Sequence, residues 1–340
     1  MDVSAWSFAA KARIAPLGNG LINQTYGVWD ADGALLGILQ RLNTDIFSPS
    51  VHEDIEAFTT HLASKGLPTT RLVPTDSGDL WFTDDSGGAW RILTPIGDRT
   101  VEHLSCTDDA QQAGALVARV HSALADFAWD FRSVRPGAHD TEKHMNHLLT
   151  AVDGHRRHRL WWDVANASET IGEGWRTWTG PGELPQRVIH GDLKISNLRF
   201  TGHTATALID LDTLQHGTLD IELGDAMRSW CNPAAEDSRE GVFDLALFEA
   251  AMTGYAKSAG DAGPTEAEWQ SIVPGIERIC WELSARFAID ALEERYFGWN
   301  ERFGTRGEHN LLRAQGQISL AKSVRHQRAE AEAALKRARA

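Results

Sequence analysis

Residues 188–213 constrain this chain more than any other stretch. A short apolar run, Val188-Ile189, leads into His190-Gly191-Asp192-Leu193-Lys194-Ile195-Ser196-Asn197. Leu198-Arg199-Phe200 then reaches a Thr201-Gly202 turn, and a second apolar run at 205–209 ends at Asp210-Leu211-Asp212. Apolar runs this short, bounded by turn residues, read as buried strands. If the strands after Asn197 pair as a hairpin, the chain brings Asp210 back to the end where Asn197 sits. Asn197 follows Asp192 by five positions (197 − 192), and Asp210 follows it by eighteen (210 − 192).

A carboxylate, an amide and a second carboxylate at this spacing suit phosphoryl transfer. That reaction needs an acceptor hydroxyl aimed in line and the phosphate charge neutralised, with little covalent help from protein. Asp192 can accept a hydrogen bond from the hydroxyl and take its proton. Asn197 and Asp210 offer the hard oxygens that Mg²⁺ prefers. The same logic governs the kinase loop H-R-D-x-x-x-x-N followed by a metal-binding Asp. Here Gly191 replaces the Arg, Leu211-Asp212 replaces Phe-Gly, and no Ala-Pro-Glu segment follows, so the pattern points to a small-molecule kinase and away from a protein kinase. A lone His-Gly-Asp is weak, and Asp192 alone is equally a turn or cap residue. The joint spacing carries the inference. His190 is expected to hold the loop backbone, and Lys194 either touches the γ-phosphate or is simply solvated.

The segments before this island read as a small strand-rich lobe. Residues 22–28 and 35–42 flank an Asp32-Gly33 hairpin turn. Ser48-Pro49 then opens a helix whose apolar stripe is Val51, Ile55, Phe58 and Leu62, ending near Lys65-Gly66. Strand-like runs at 71–73, 80–83 and 90–96 follow. Beyond residue 108 the pattern turns helical, with helices expected at 113–124, 140–162, 167 onward, 244–255, 266–299 and 310–340. The expected fold is α+β and bilobal, with a nucleotide-binding lobe at 1–96 and a catalytic and substrate-binding lobe at 97–340. A length of 340 residues suits two lobes.

A formal net charge of −14 argues against nucleic acid and anionic membrane as partners. Cys106, Cys231 and Cys280 form no CxxC pair, which gives no sign of a disulfide framework or a thiolate zinc site. The opening MDVSAWSFAAKAR has no long apolar run, and a cytoplasmic protein is expected. The oligomeric state stays open.

These motifs resemble the aminoglycoside phosphotransferase and choline kinase superfamily, and within it the N-acetylhexosamine 1-kinases. Gly20-Leu21-Ile22-Asn23-Gln24-Thr25-Tyr26 sits where such kinases cover the nucleotide. Leu39-Gln40-Arg41-Leu42-Asn43, Ile209-Asp210-Leu211-Asp212-Thr213 and Gly224-Asp225-Ala226-Met227-Arg228 each resemble a family segment. So do Glu282, Arg286-Phe287, Asp290 and Tyr296-Phe297.

The resemblance implies a protein-kinase-like fold that uses ATP and Mg²⁺, with a hinge near 93–96. Asp192 would be the catalytic base, and Asn197 and Asp210 the metal ligands. Gly20, Asn23, Thr25, Gln40, Arg41 and Lys194 would contact the nucleotide. Asp212, Arg228, Arg286, Asp290 and Tyr296 would contact the substrate, although Asp225 and Arg228 also suit a structural pair. The acceptor implied is a sugar hydroxyl, first the anomeric 1-OH of a hexosamine. An aminoglycoside, amino alcohol or other small alcohol is the alternative, and a catalytically silent nucleotide-binding protein a third reading. One departure matters: the strand that usually carries the phosphate-holding Lys reads Gln40-Arg41, and only one of these can face the cleft. Arg41 could supply charge there, with Glu53 or Glu56 as its partner, whereas Gln40 could only hydrogen-bond; which residue replaces the Lys stays open.

Overall fold

The computed structural model describes residues 3–18, 22–234 and 236–340. Strands β1 (Arg13–Pro16), β2 (Gln24–Trp29), β3 (Leu35–Arg41), β4 (Leu72–Val73), β5 (Phe82–Thr83) and β6 (Ala89–Leu93) form one antiparallel sheet. Its order is β1-β2-β3-β6-β4, with β5 also on β6. The β2–β3 turn closes where Asp30 Oδ1 accepts the amides of Asp32 and Ala34 at 2.9 and 2.8 Å. Strand alternation sends Val28, Leu39, Trp90 and Ile92 to one core, which Trp6 and Ala9 cover from the N-terminal segment.

Helix α1 (Val51–Ser64) starts two residues beyond Pro49, because residues 48–50 form a tighter turn in which Ser48 O accepts the Val51 amide at 3.0 Å. Its apolar stripe does not pack under the sheet alone. Val51, Ile55, Phe58 and Leu62 belong to the same continuous core as the helices that follow. Asp54 accepts the amides of Arg132 and Ser133 and the indole N–H of Trp129, which ties α1 to the helical region.

The second part is built from α2 (Thr107–Ala123), α3 (Thr141–Gly154), α4 (Trp161–Arg176), α5 (Leu219–Trp230), α6 (Leu245–Ser258), α7 (Glu266–Glu293), α8 (Arg306–His326) and α9 (Arg328–Arg339). The sequence expected one helix over 140–162, but it breaks after Gly154, and α4 takes the Trp161 end. The expected 266–299 helix stops at Glu293. There Glu294 turns left-handed (φ 49°) and the Asp290 carboxylate accepts the amides of Arg295, Tyr296 and Phe297. The stretch expected at 310–340 is two helices, divided at Gln327.

Two small sheets complete the fold. Strand β9 (Leu198–Thr201) pairs with β10 (Thr204–Leu208) and with β7 (Arg99–Thr100). Strand β8 (Arg187–Ile189) pairs with β11 (Gln215–Gly217). An antiparallel sheet followed by a mainly helical region is the expected α+β, kinase-like arrangement.

Helix α5 lies outside the helices expected from the sequence, although Leu219, Leu223, Ala226, Met227 and Trp230 recur at helical spacing and are all buried. It lies very close to α7. A Cβ on Gly224 would sit 2.7 Å from the Gly275 carbonyl, and one on Gly275 would sit 2.2 Å from Asp220 O. Only hydrogen fits between these backbones. Gly224→Ala is therefore expected to force α5 off α7 and cost about 1–3 kcal/mol. A lowered urea midpoint with unchanged far-UV helix signal is the expected readout.

Candidate active site

The loop after β8 is fixed from three sides. From α5, the buried Glu222 carboxylate accepts the amide of His190 at 2.9 Å and that of Gly191 at 3.0 Å. Gly191 has φ +79°, and a Cβ there would lie 2.6 Å from Thr213 O, so the loop needs glycine at this point. His190 Nδ1 accepts the Asp192 amide at 3.3 Å, so Nε2 carries the proton it gives to Ile209 O at 2.8 Å. Trp230 Nε1 donates to Leu193 O at 2.9 Å. His190 is thus a backbone-holding residue, as its sequence position implied.

The β9–β10 hairpin forms as the apolar runs require, with Leu198 opposite Leu208. The Ile209 amide then donates to Asn197 O at 2.9 Å, which returns Asp210 to the Asn197 end. Asn197 Nδ2 donates to Asp192 O at 2.8 Å and to Asp192 Oδ2 at 3.2 Å, leaving its Oδ1 as the free acceptor of that amide. Lys194 Nζ donates to Asp192 Oδ2 at 2.9 Å. Asp192, Lys194, Asn197 and Asp210 are therefore brought together.

Their electrostatics differ. Burial alone would raise the Asp192 carboxyl, but the charge and hydrogen bond of Lys194 hold it below the usual range. The same attraction raises Lys194. Asp210 is open to water at the floor of the site yet closely walled by protein. Burial first, then the like charges of Asp212 and Asp192, raise it, with Lys194 in opposition. Its backbone is left-handed (φ 61°), a conformation uncommon for a residue with a side chain and a form of strain that collects at functional sites.

Sheet register decides which strand residues face this loop. Thr25, Gln40 and Arg91 lie in one cross-strand row, and Gln24, Arg41 and Trp90 in the next. The first row faces the loop: Gln40 Nε2 donates to Thr25 Oγ1 at 3.2 Å, Arg91 Nε donates to Gln40 Oε1 at 2.9 Å, and Arg91 reaches Asp212. Arg41 is on the opposite face, beside Trp90 and Gly88, which corrects the expectation that it supplies the cleft charge. The helix acids are otherwise engaged, Glu53 with Arg132 at 2.8 Å and Glu56 with Arg71 at 2.9 Å. Asn23 is buried: its Nδ2 donates to Asp212 Oδ2 at 2.6 Å and its Oδ1 accepts the Asn43 amide at 2.9 Å. Gly20 lies outside the described residues.

Three residues expected to contact substrate are committed elsewhere. Asp212 is bound by Arg91 and Asn23. Buried Arg228 pairs with Asp225, at 2.7 Å, and with Glu236. Asp290 caps the turn after α7 and also accepts from Asn310 Nδ2 at 2.8 Å. All three side chains are buried and bonded to protein partners.

Tyr296 is exposed, whereas Arg286 is mostly enclosed. Arg286 lies over the Phe297 ring and 3.8 Å from Glu282, and the Tyr296 hydroxyl accepts from Arg135. His139, which no motif singles out, joins this cluster to the loop. Its Nδ1 lies 3.0 Å from Glu282 and its Nε2 3.4 Å from Gly191 O. Both partners are acceptors, an arrangement that favours protons on both ring nitrogens. Burial disfavours the imidazolium, but the hydrogen bond and charge of Glu282 outweigh it and raise His139. Burial likewise works to raise Glu282, yet His139, Arg286 and Thr141 pull it down to about 2.

With Glu282 lowered from 4.5 and His139 raised from 6.5, their mutual stabilisation is full between those two values. It fades as pH falls from 4.5 towards 2, and again as pH rises through the folded value of His139. The acid-side loss is on the order of 2–3 kcal/mol. Glu282→Gln should be less stable at pH 6 and should flatten the pH dependence on both sides, as measured by urea unfolding from pH 3 to 8.

A family pattern described as "Phosphotransferase enzyme family" matches residues 13–260. The homoserine kinase of Neisseria meningitidis serogroup B is 22% identical over 279 residues, covering 81% of this chain and 82% of that one. A microcompartment-associated aminopropanol kinase superposes with a TM-score of 0.65 at 17% identity, over 97% of this chain and 96% of that one. An amicoumacin kinase, solved in complex with AMP-PNP, Ca²⁺ and its ligand Ami, gives 0.60 at 14% identity over 90% and 87%. With the sheet, the loop and the returning hairpin arranged as above and the pattern spanning most of the chain, this protein belongs to the phosphotransferase enzyme family (APH).

Proposed function

We propose that the protein transfers the γ-phosphoryl group of ATP to a hydroxyl of a small polar molecule. The observation that carries this reading is the closure of the hairpin onto the loop. Ile209 N–H to Asn197 O returns Asp210 to Asn197, while Asn197 Nδ2 binds Asp192. Asp192, ionised at neutral pH, would accept the hydroxyl proton as the base. Lys194 beside it would meet the negative charge of the transferring phosphate. Thr25 and Gln40 line the sheet face over the loop, where a nucleotide would lie.

No group of three or more His, Cys, Asp or Glu able to hold a metal occurs among the described residues. The donor set still fits Mg²⁺ in the way kinases hold it, through one amide oxygen and one carboxylate plus phosphate oxygens. Asn197 Oδ1 and Asp210 would hold the ion, and like-charge repulsion on Asp210 is what a cation there relieves. Mg²⁺ so held would neutralise negative charge on the transferring phosphate. The division at residues 96/97 and a cytoplasmic location, where ATP is plentiful, belong to the same reading.

Among acceptors, amino alcohols of the homoserine or aminopropanol kind stand first, on the names of the relatives. A sugar hydroxyl, such as the anomeric 1-OH of a hexosamine, is the second reading. It is supported by the Ile209 to Thr213 motif and by the Arg286, Tyr296 and Phe297 group, whose two rings pack edge to face at 4.8 Å.

A panel of homoserine, 1-amino-2-propanol, choline, an aminoglycoside and N-acetylhexosamines, incubated with ATP and Mg²⁺, separates the two by product analysis. A phosphate ester on an amino alcohol supports the first, and a sugar 1-phosphate the second. Turnover on no acceptor of either class would count against both. Asp192→Asn is expected to lower turnover at least about a hundredfold, with nucleotide affinity within about twofold of the parent. Unchanged turnover would remove Asp192 from the base role.

A further inference from the structure

The charge that faces the cleft from the sheet is Arg91, and it is not free to hold a phosphate. Its Nη1 and Nη2 donate to the two oxygens of Asp212 at 2.6 and 2.8 Å, and its Nε donates to Gln40. The side chains are 1% and 2% exposed. A bidentate pair this buried is rigid, because removing either partner strands a charge away from water. His52 on α1, stacked on Trp81 at 5.1 Å, adds to the wall. Burial, then the charge of Arg91, lowers it to about 4, so it stays neutral and does not compete for Asp212.

Asp212 lies two residues from Asp210, across the left-handed turn. That turn is anchored at one end by Ile209, whose amide meets Asn197 O and whose carbonyl meets His190 Nε2. At the other end it is anchored by Asp212, bound to Arg91 and Asn23, and by Thr213 Oγ1 donating to His190 O at 2.8 Å. Asp210 itself does not cap the short 3-10 turn that follows it. Its strained backbone is therefore held by its neighbours.

We propose that Arg91, acting through Asp212, is the positioning residue that presents Asp210 to the metal–nucleotide, replacing the usual strand-lysine to helix-glutamate coupling with a direct tie from sheet to metal loop. The inference rests on the reading of Asp210 as a metal ligand. The sheet and the metal loop then move as one piece, and the Gln40–Arg91–Asp212 chain carries the coupling. Gln40 in place of lysine is consistent with this, because a second cation in the row would compete for Asp212.

The test is Mn²⁺ binding, read by electron paramagnetic resonance of free Mn²⁺ in the presence of AMP-PNP, alongside AMP-PNP binding in EDTA by calorimetry. Arg91→Lys keeps charge but loses the bidentate geometry, and should weaken Mn²⁺ binding three- to tenfold. R91Q/D212N removes both charges together, so no buried ion is stranded. It should melt cooperatively and bind Mn²⁺ at least tenfold more weakly, with metal-free nucleotide affinity changed less than twofold. Parent-like Mn²⁺ binding by folded R91Q/D212N overturns the positioning role while leaving the kinase reading in place. Equal weakening of metal-free nucleotide binding also overturns it, since the defect would then be general. Failure of the parent protein itself to bind Mn²⁺ with AMP-PNP removes the kinase reading, and this inference with it.

Discussion

A single buried carboxylate, Glu222, sets the shape of everything near the reacting loop. It takes the His190 and Gly191 amides from one direction and His121 Nε2, at 3.3 Å, from another. Burial works to raise its pKa, but the hydrogen bond and charge of His121 prevail and hold it low, so it is present as an anion. Two backbone amides in a glycine-containing turn would otherwise be buried without acceptors, at roughly 1–3 kcal/mol each. The loop keeps its form because α5 carries this acceptor to it, and α5 can lie deep enough only because Gly224 and Gly275 let the helices touch.

The cleft is organised as two linked layers of charge. In one, Lys194, Asp192 and Asp210 lie in the open part of the site, with the buried amide of Asn197 bonded to Asp192 beneath them. Behind it, Arg91–Asp212 and Arg228–Asp225 are buried pairs, and His139–Glu282 pairs a partly buried His with a fully buried Glu. Buried pairs are poor sources of net stability but strong enforcers of geometry, because each partner tolerates few arrangements of the other. This division explains why several polar residues that the motifs single out are spent on structure while still shaping the reaction site.

Much of this was legible in the sequence. Short apolar runs flanking His190 to Asn197, and a turn at Thr201-Gly202, force a hairpin whose ends meet, so the approach of Asp210 to Asn197 follows from local pairing. The α+β division follows from a change in hydrophobic period. Less legible were residues whose partners lie far along the chain. Arg91 reads as one cation in an apolar strand, and nothing local shows that Asp212, 121 positions away, neutralises it. Helix α5 was hidden by Gly224, a helix-weakening residue whose use appears only when Gly275 lies opposite.

The sequence by itself determined the loop motif, the hairpin that returns Asp210 to it and the family the chain belongs to, because these depend on neighbours within a few dozen residues. Tertiary structure alone decided which face of β3 looks inward, and that Asp212, Arg228 and Asp290 are buried with protein partners. Those outcomes depend on strand register and on charges meeting across long stretches of chain, where burial makes a single pairing far more favourable than any competing one.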